Sequence, residues 1–232
     1  MGEGYVGTMS QDPIALWRGV VVRVCDLALS LSDQEAQRYV PACPDWTVRD
    51  LLAHMIGLGA DTADGNEPDD HDEAWTQAQV DRRAGVPLAA LVEEWQALVP
   101  RLSAYMTEHG PRPLNDAVIH EQDLRGAVDR PGARETTELA IVRDTLLERI
   151  AGRVGDLPPI ALCGTELEWV SRGSVEDAET VLEASDFDLA RAAMCRRTPA
   201  ELREWTVRGD VEAYLDALAH LGPLPEARLV EP

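Results

Sequence analysis

The stretch "NDAVIHEQDLRGAVD", residues 115–129, has the spacing of an amphipathic helix, but acids and a histidine stand where leucines usually do. At about 100° per residue, Asp116, His120, Asp123 and Ala127 fall on one narrow strip. Ile119 flanks the strip on one side, and Ala117, Leu124 and Val128 flank it on the other. The polar strip therefore runs down the middle of the apolar face. Asn115, Gln122 and Arg125 fall opposite, where water is expected. Burying ionisable groups without partners is costly, so a metal ion or a set of hydrogen bonds must compensate them.

Outward from this stretch the pattern is helical in both directions. Upstream, residues 12–33 repeat Leu16, Val20, Val24, Leu27 and Leu31 at helical spacing. In "PACPDWTVRDLLAHMIGLGA", Thr47 followed by Asp50 is a capping-box pattern that starts a second helix over about 48–60. The acidic "DTADGNEPDDHDEAW", residues 61–75, with Gly65 and Pro68, reads as a loop. Pro87 opens a long third helix with Leu88, Leu91, Trp95, Leu98, Leu102 and Met106 on one face, and Pro100 is expected to kink it. "HGPRP" ends it, and the helix of residues 115–129 comes fourth.

Four amphipathic helices in succession are most economically a four-helix bundle. After "DRPGARE" the character changes. A helix fits 135–155, with Leu139, Val142, Leu146, Ile150 and Val154 on its apolar face, the runs "IALCG", "LEWVS" and "ETVLEAS" read as strands, and helices are expected over 186–206 and 210–221. The expected fold is α+β, with a helical bundle over residues 1–132 and a smaller C-terminal α+β domain over 133–232.

Composition narrows the function. A net charge of −21 and a pI near 4.5 argue against nucleic acid as a partner. All 21 basic residues are arginine, which excludes a Schiff-base, P-loop or kinase lysine. No apolar run is long enough to cross a membrane, and "MGEGYVGTMSQDP" carries neither a signal-peptide pattern nor, with Val6 at the sixth position, a myristoylation pattern. A cytoplasmic protein is expected. Cys25, Cys43, Cys163 and Cys195 are scattered without a CxxC pair, so free thiols are expected, not a thiolate zinc site.

Three groups can meet inside the bundle: His54 on the second helix, and Asp116 and His120, four residues apart, on the fourth. Two imidazoles and one carboxylate suit a three-ligand site with an open position, for which zinc is the default and iron, nickel and manganese are compatible. Asp123 is a candidate partner for the site or for the neighbourhood of Arg125. Asp50 could orient His54, although its capping role already explains it. His71 among aspartates reads as a weak ligand or a solvated residue, and His109 and His220 as histidines suited to helix ends.

"VPACPDWTVRDLLAHMIG" and the later "DAVIHEQDLRGAV" together resemble the mycothiol-dependent maleylpyruvate isomerase family, among the DinB-like metal-binding bundles. The closing "ARAAMCRRTPAEL" and "WTVRGDVEAYLDAL" look like the tail that many members carry. The resemblance implies a divalent metal, usually zinc, on residues that land on His54, Asp116 and His120. The family's carboxylate is typically glutamate, whereas Asp116 is one methylene shorter. The resemblance also implies a contributing arginine between the second and third helices, where Arg82 and Arg83 lie.

The leading reading is a metal-dependent isomerase or S-transferase. It would use mycothiol as cosubstrate and act, as a monomer or homodimer, on a small electrophilic molecule whose carboxylates arginine holds. A metal-bound hydroxide would make it a hydrolase instead. The rival is a non-enzymatic binding or regulatory bundle, in which the histidines are hydrogen-bonded to Asp116 and Asp123 without metal.

Overall fold

Helix α1 (Pro13–Leu29) begins where the Asp12 carboxylate accepts the Ile14 amide at 2.9 Å and Pro13 fills the first turn. The computed structural model describes residues 12–68 and 72–231. The readings made on residues 1–11 and on His71 lie outside the described residues. The chain divides into two compact units, Met1–Leu31 with Leu52–Ala117, and Ser32–Leu51 with Val118–Pro232.

After α1 come a short capped turn α2 (Asp33–Ala36) and an antiparallel pair, β1 (Tyr39–Val40) and β2 (Cys43–Thr47). Helix α3 (Val48–Ala63) follows at once. Its start is the expected capping box: the Asp50 amide donates to Thr47 Oγ1 at 3.2 Å, and the Thr47 amide donates to Asp50 Oδ2 at 3.1 Å. The stretch expected to be loop ends early, because Asp72 caps α4 (Glu73–Asp81) by accepting the Trp75 amide at 3.0 Å. Helix α5 (Leu88–His109) continues unbroken past Pro100, and α6 (Arg112–Ala127) carries the polar stripe.

The first unit is helical. Trp17, Val20, Val21 and Val24 of α1 are buried, as are Leu91, Trp95, Leu98, Leu102 and Met106 of α5, and these two helices pack together. Each such side chain removed from water contributes roughly 1.5–3 kcal/mol before the entropy of ordering is subtracted. Helix α3 approaches its neighbours closely through two glycines. A Cβ on Gly57 would lie 2.5 Å from Gln79 Cβ, and one on Gly59 would lie 2.9 Å from Leu102.

The second unit holds the sheet. Helix α7 (Thr137–Val154) buries Leu139, Val142, Leu146, Ile150 and Val154, all five residues expected on its inner face. Strand β3 (Ile160–Cys163) pairs antiparallel with β4 (Glu168–Val170) and parallel with β5 (Thr180–Glu183). The outer strand, β6 (Thr206–Arg208), pairs antiparallel with β5 and was not foreseen. The single helix expected over 186–206 is two, α8 (Asp186–Ala193) and α9 (Pro199–Trp205). Between them Cys195 takes a left-handed φ of 57°, and Thr198 and Glu201 form a capping box with Pro199 at the first helical position, so a new helix is nucleated instead of the old one continuing. In place of a helix over 210–221 there are a 3-10 turn (Val211–Tyr214) and α10 (Leu215–Leu218).

The architecture is therefore a helical N-terminal part with a small C-terminal sheet domain. No helix among the described residues is long and apolar enough to cross a membrane. Replacing the cap, Thr47→Ala, should cost about 1 kcal/mol of stability in urea unfolding with the slope unchanged.

Candidate metal centre

His54 sits in the middle of α3, 4% exposed, and its ring is oriented by a residue of the unforeseen helix α4. Gln79 Nε2 donates to Asp61 Oδ2 at 3.1 Å, which turns its carbonyl oxygen toward His54 Nδ1 at 2.8 Å. An amide oxygen only accepts, so the hydrogen of the neutral ring is on Nδ1 and the lone pair on Nε2. That Nε2 faces Asp116 Oδ1 at 3.5 Å. Two acceptors face each other there, and the contact becomes favourable when a proton or a metal cation lies between them. Gly57, one turn beyond His54, makes the arrangement possible, since any side chain at that position would push Gln79 away.

Asp61 is a shared anchor. It accepts from Gln79 and also from Arg82 Nη2 at 2.6 Å. Arg83 holds Glu94, with Nη2 to Oε1 at 2.6 Å, and donates from Nη1 to the Gln79 carbonyl at 3.1 Å. Both arginines singled out from the sequence thus touch groups that hold Gln79. Asp50 does not orient His54; it caps α3 and pairs with Arg49 at 2.7 Å.

Asp116 and His120 lie one turn apart on α6, and in the second unit His120 is held as firmly as His54 is in the first. His120 Nδ1 donates to Asp123 Oδ2 at 2.9 Å, which leaves Nε2 as the ring's lone pair. Asp123 is 2% exposed and does not pair with Arg125, which binds Glu121 at 3.0 Å instead. Its oxygens are filled from elsewhere: Oδ1 accepts Arg191 Nη2 at 2.5 Å and Arg196 Nε at 3.1 Å, and Oδ2 accepts Arg196 Nη2 at 2.9 Å. Burial opposes the charge on Asp123, yet Arg196, Arg191 and the His120 hydrogen bond together hold its carboxyl well below the usual carboxylate range. Of the α6 residues expected to meet water, Asn115 and Arg125 are half-buried and Gln122 is buried. Gln122 is 3% exposed and donates to the carbonyls of Gly132 and Ala133, both at 3.2 Å.

A thiol joins this group. Ligand atoms of Cys43, His120 and Asp123 all lie within 4.8 Å of one another. The remaining histidines stand apart in role. His109 is the last residue of α5, with its ring against Tyr105. His220 bonds through Nε2 to the Ala193 carbonyl at 2.7 Å, and burial lowers its pKa, so it is a neutral donor and not the helix-end cation expected.

The fold is of the DinB-like class, a helical N-terminal part with a small C-terminal sheet domain. Residues 17–138, more than half of the chain, match the family model described as the mycothiol maleylpyruvate isomerase N-terminal domain, and the chain belongs to that family. Among solved structures, the mycothiol-dependent maleylpyruvate isomerase shares the fold at a TM-score of 0.52 and 15% identity, over 81% of this chain and 89% of that one. A mutant of that enzyme gives 0.48 and 14%, over 78% and 87%. No curated protein matches the chain.

The Asp123→Asn change removes the counter-charge of Arg196 and one of the two carboxylates that hold the buried Arg191, and should cost about 3–5 kcal/mol. Because the folded pKa of Asp123 is depressed, its contribution is fully present above the unfolded carboxyl value of about 3.9 and is lost as pH falls through the folded value. Unfolding curves of the two proteins should therefore stay apart at neutral pH and converge only below about pH 4.

Proposed function

We propose that the chain is a divalent-metal-dependent enzyme that uses a low-molecular-weight thiol, mycothiol, to isomerise or to add sulfur to a small electrophilic substrate in the cytoplasm. His54, Asp116 and His120 are its metal ligands. The observation that carries this reading is the pair formed by His54 Nε2 and Asp116 Oδ1, 3.5 Å apart, with His54 Nδ1 committed to Gln79. Ligand atoms about 2.0–2.1 Å from a tetrahedral zinc stand about 3.3 Å from each other, so the observed separation suits such an ion. It also answers the shortness of aspartate: without the extra methylene of glutamate, the Asp116 oxygen still reaches the imidazole.

The third ligand follows from the helix. His120 lies one turn beyond Asp116, and its Nδ1 is fixed by an ionised carboxylate, the arrangement that orients ligating histidines and raises their basicity. Zinc fits two nitrogens and one oxygen best, and iron, nickel or manganese would fit the same set. When bound, the metal lowers the pKa of a coordinated thiol, so that the sulfur is a thiolate at neutral pH.

The rest is supplied by the chain. Gln79 and Asp123 hold the two rings in the tautomer that presents Nε2. Arg82 and Arg83 act as positioning residues, Arg82 through Asp61 and Arg83 through the Gln79 backbone. Burial of His54 keeps bulk water from competing for its lone pair.

Maleylpyruvate, which names the solved neighbour, is the first substrate to test. Isomerisation should require both zinc and mycothiol. Gln79→Leu should weaken zinc binding by about 10–100-fold while far-ultraviolet circular dichroism stays unchanged. Zinc-dependent cleavage by water that proceeds equally well without the thiol would instead identify a metal-hydroxide hydrolase.

A further inference from the structure

Glu231 is remote in sequence from α6 and follows a stretch in which Ala227, Arg228 and Val230 are exposed, yet its side chain is only 6% exposed. A carboxylate turned inward from an exposed segment is costly unless what it meets compensates it. It meets two guanidinium groups. Glu231 Oε1 accepts Arg191 Nε at 2.8 Å and pairs with Nη2 of the same group at 2.5 Å, and Oε2 pairs with Arg197 Nη1 at 2.7 Å. Both arginines are buried, Arg191 completely.

Arg191 is a bridge. Its Nη2 lies 2.5 Å from Asp123 Oδ1 on one side and from Glu231 Oε1 on the other, and these two carboxylates are its ion-pair partners among the described residues. A planar guanidinium gripped along its Nε–Nη2 edge cannot turn without losing that pair, so Glu231 sets the direction in which Nη2 points at Asp123. Arg197 adds a second hold. It follows Arg196, whose Nε and Nη2 take both oxygens of Asp123, and its Nη1 donates to the Arg196 carbonyl at 2.8 Å beside its pairing with Glu231. The segment also rests on α6 at Gly126, the third residue beyond Asp123, where an added Cβ would stand 3.4 Å from Glu231 Cγ. One carboxylate thus reaches both guanidinium groups that neutralise Asp123, Arg191 directly and Arg196 through its neighbour.

From these contacts we infer that Glu231 is a positioning residue for His120: by holding Arg191 and Arg197 it keeps Asp123 Oδ2 where it accepts the His120 Nδ1 hydrogen, and the segment that carries it acts as a strap on that ring. The consequence for metal rests on the reading of His120 as a ligand. Without the Glu231 charge, Arg191 is left with Asp123 as its carboxylate and is drawn further onto it. The Asp123 carboxylate follows that pull, and its hydrogen bond to His120 loosens.

The test compares the metal-free full-length chain with Glu231→Gln, which keeps the shape and removes the charge. Hydrogen exchange of the His120 Nδ1 proton is followed by NMR, the signal being assigned by its loss in His120→Ala. The expected result is exchange about 10-fold faster in the variant while the backbone amides of α7, in the same unit, keep their native rates. Glu231→Asp, which keeps the charge and shortens its reach, should show the same selective change at smaller size. In whichever of the two variants stays folded, a His120 proton as slow as in the native protein, or one that speeds up only together with the α7 amides, would overturn the inference. Zinc titration then reads the consequence: the dissociation constant should rise by about 10-fold in Glu231→Gln. A native protein that binds no zinc refutes the metal reading and leaves the exchange result standing, whereas equal zinc affinities in the native protein and the variant overturn the positioning role.

Discussion

Asp123 is a carboxylate with almost no access to water, and much of the second unit is arranged around keeping it charged. Arg191 and Arg196 come to it from 68 and 73 residues further along the chain, and Arg191 also holds Glu231. A lone buried carboxylate would take up a proton. With two guanidinium groups and an imidazole N–H on its oxygens, this one stays ionised. Its charge in turn fixes His120 with the hydrogen of the ring on Nδ1, toward Asp123. The interaction that holds the C-terminal segments to α6 is therefore the one that sets the chemistry of a candidate ligand.

The first unit solves the matching problem through a neutral amide. His54 is oriented by an amide oxygen, and the amide is oriented by Asp61, which Arg82 anchors. Gly57 allows α4 close enough for Gln79 to reach the ring. The two histidines reach one tautomer by different routes, one through a buried ion network and one through a hydrogen-bonded relay. Asp116 stands at the end of the relay and one helical turn from the ion network, which is why its geometry carries the functional argument.

The parts legible in the sequence were those with local causes. The stripe of Asp116, His120 and Asp123 stood out because polar side chains at buried helical positions break the usual pattern. The capping box at Thr47 and the inner face of α7 were equally local, and both stand as read. The hidden parts depended on distant residues or on weak patterns. Helix α4 lies within an acidic stretch with little apolar face, so Gln79 drew no attention, although Asp72 three residues before Trp75 was a usable cap signal. The partners of Asp123 could not be read from helical spacing, since they come from α8 and the turn after it. Gln122 was assigned to water because periodicity marks a helix's faces and not what later segments lay over them.

The measurement that tests the central claim most directly is the metal content of the untagged protein by mass spectrometry, beside His120→Ala. The account expects about one divalent ion per chain in the native protein and its loss in the variant while the fold is retained. A native protein that stays free of metal when zinc is supplied, or a variant that keeps its full complement, would contradict it.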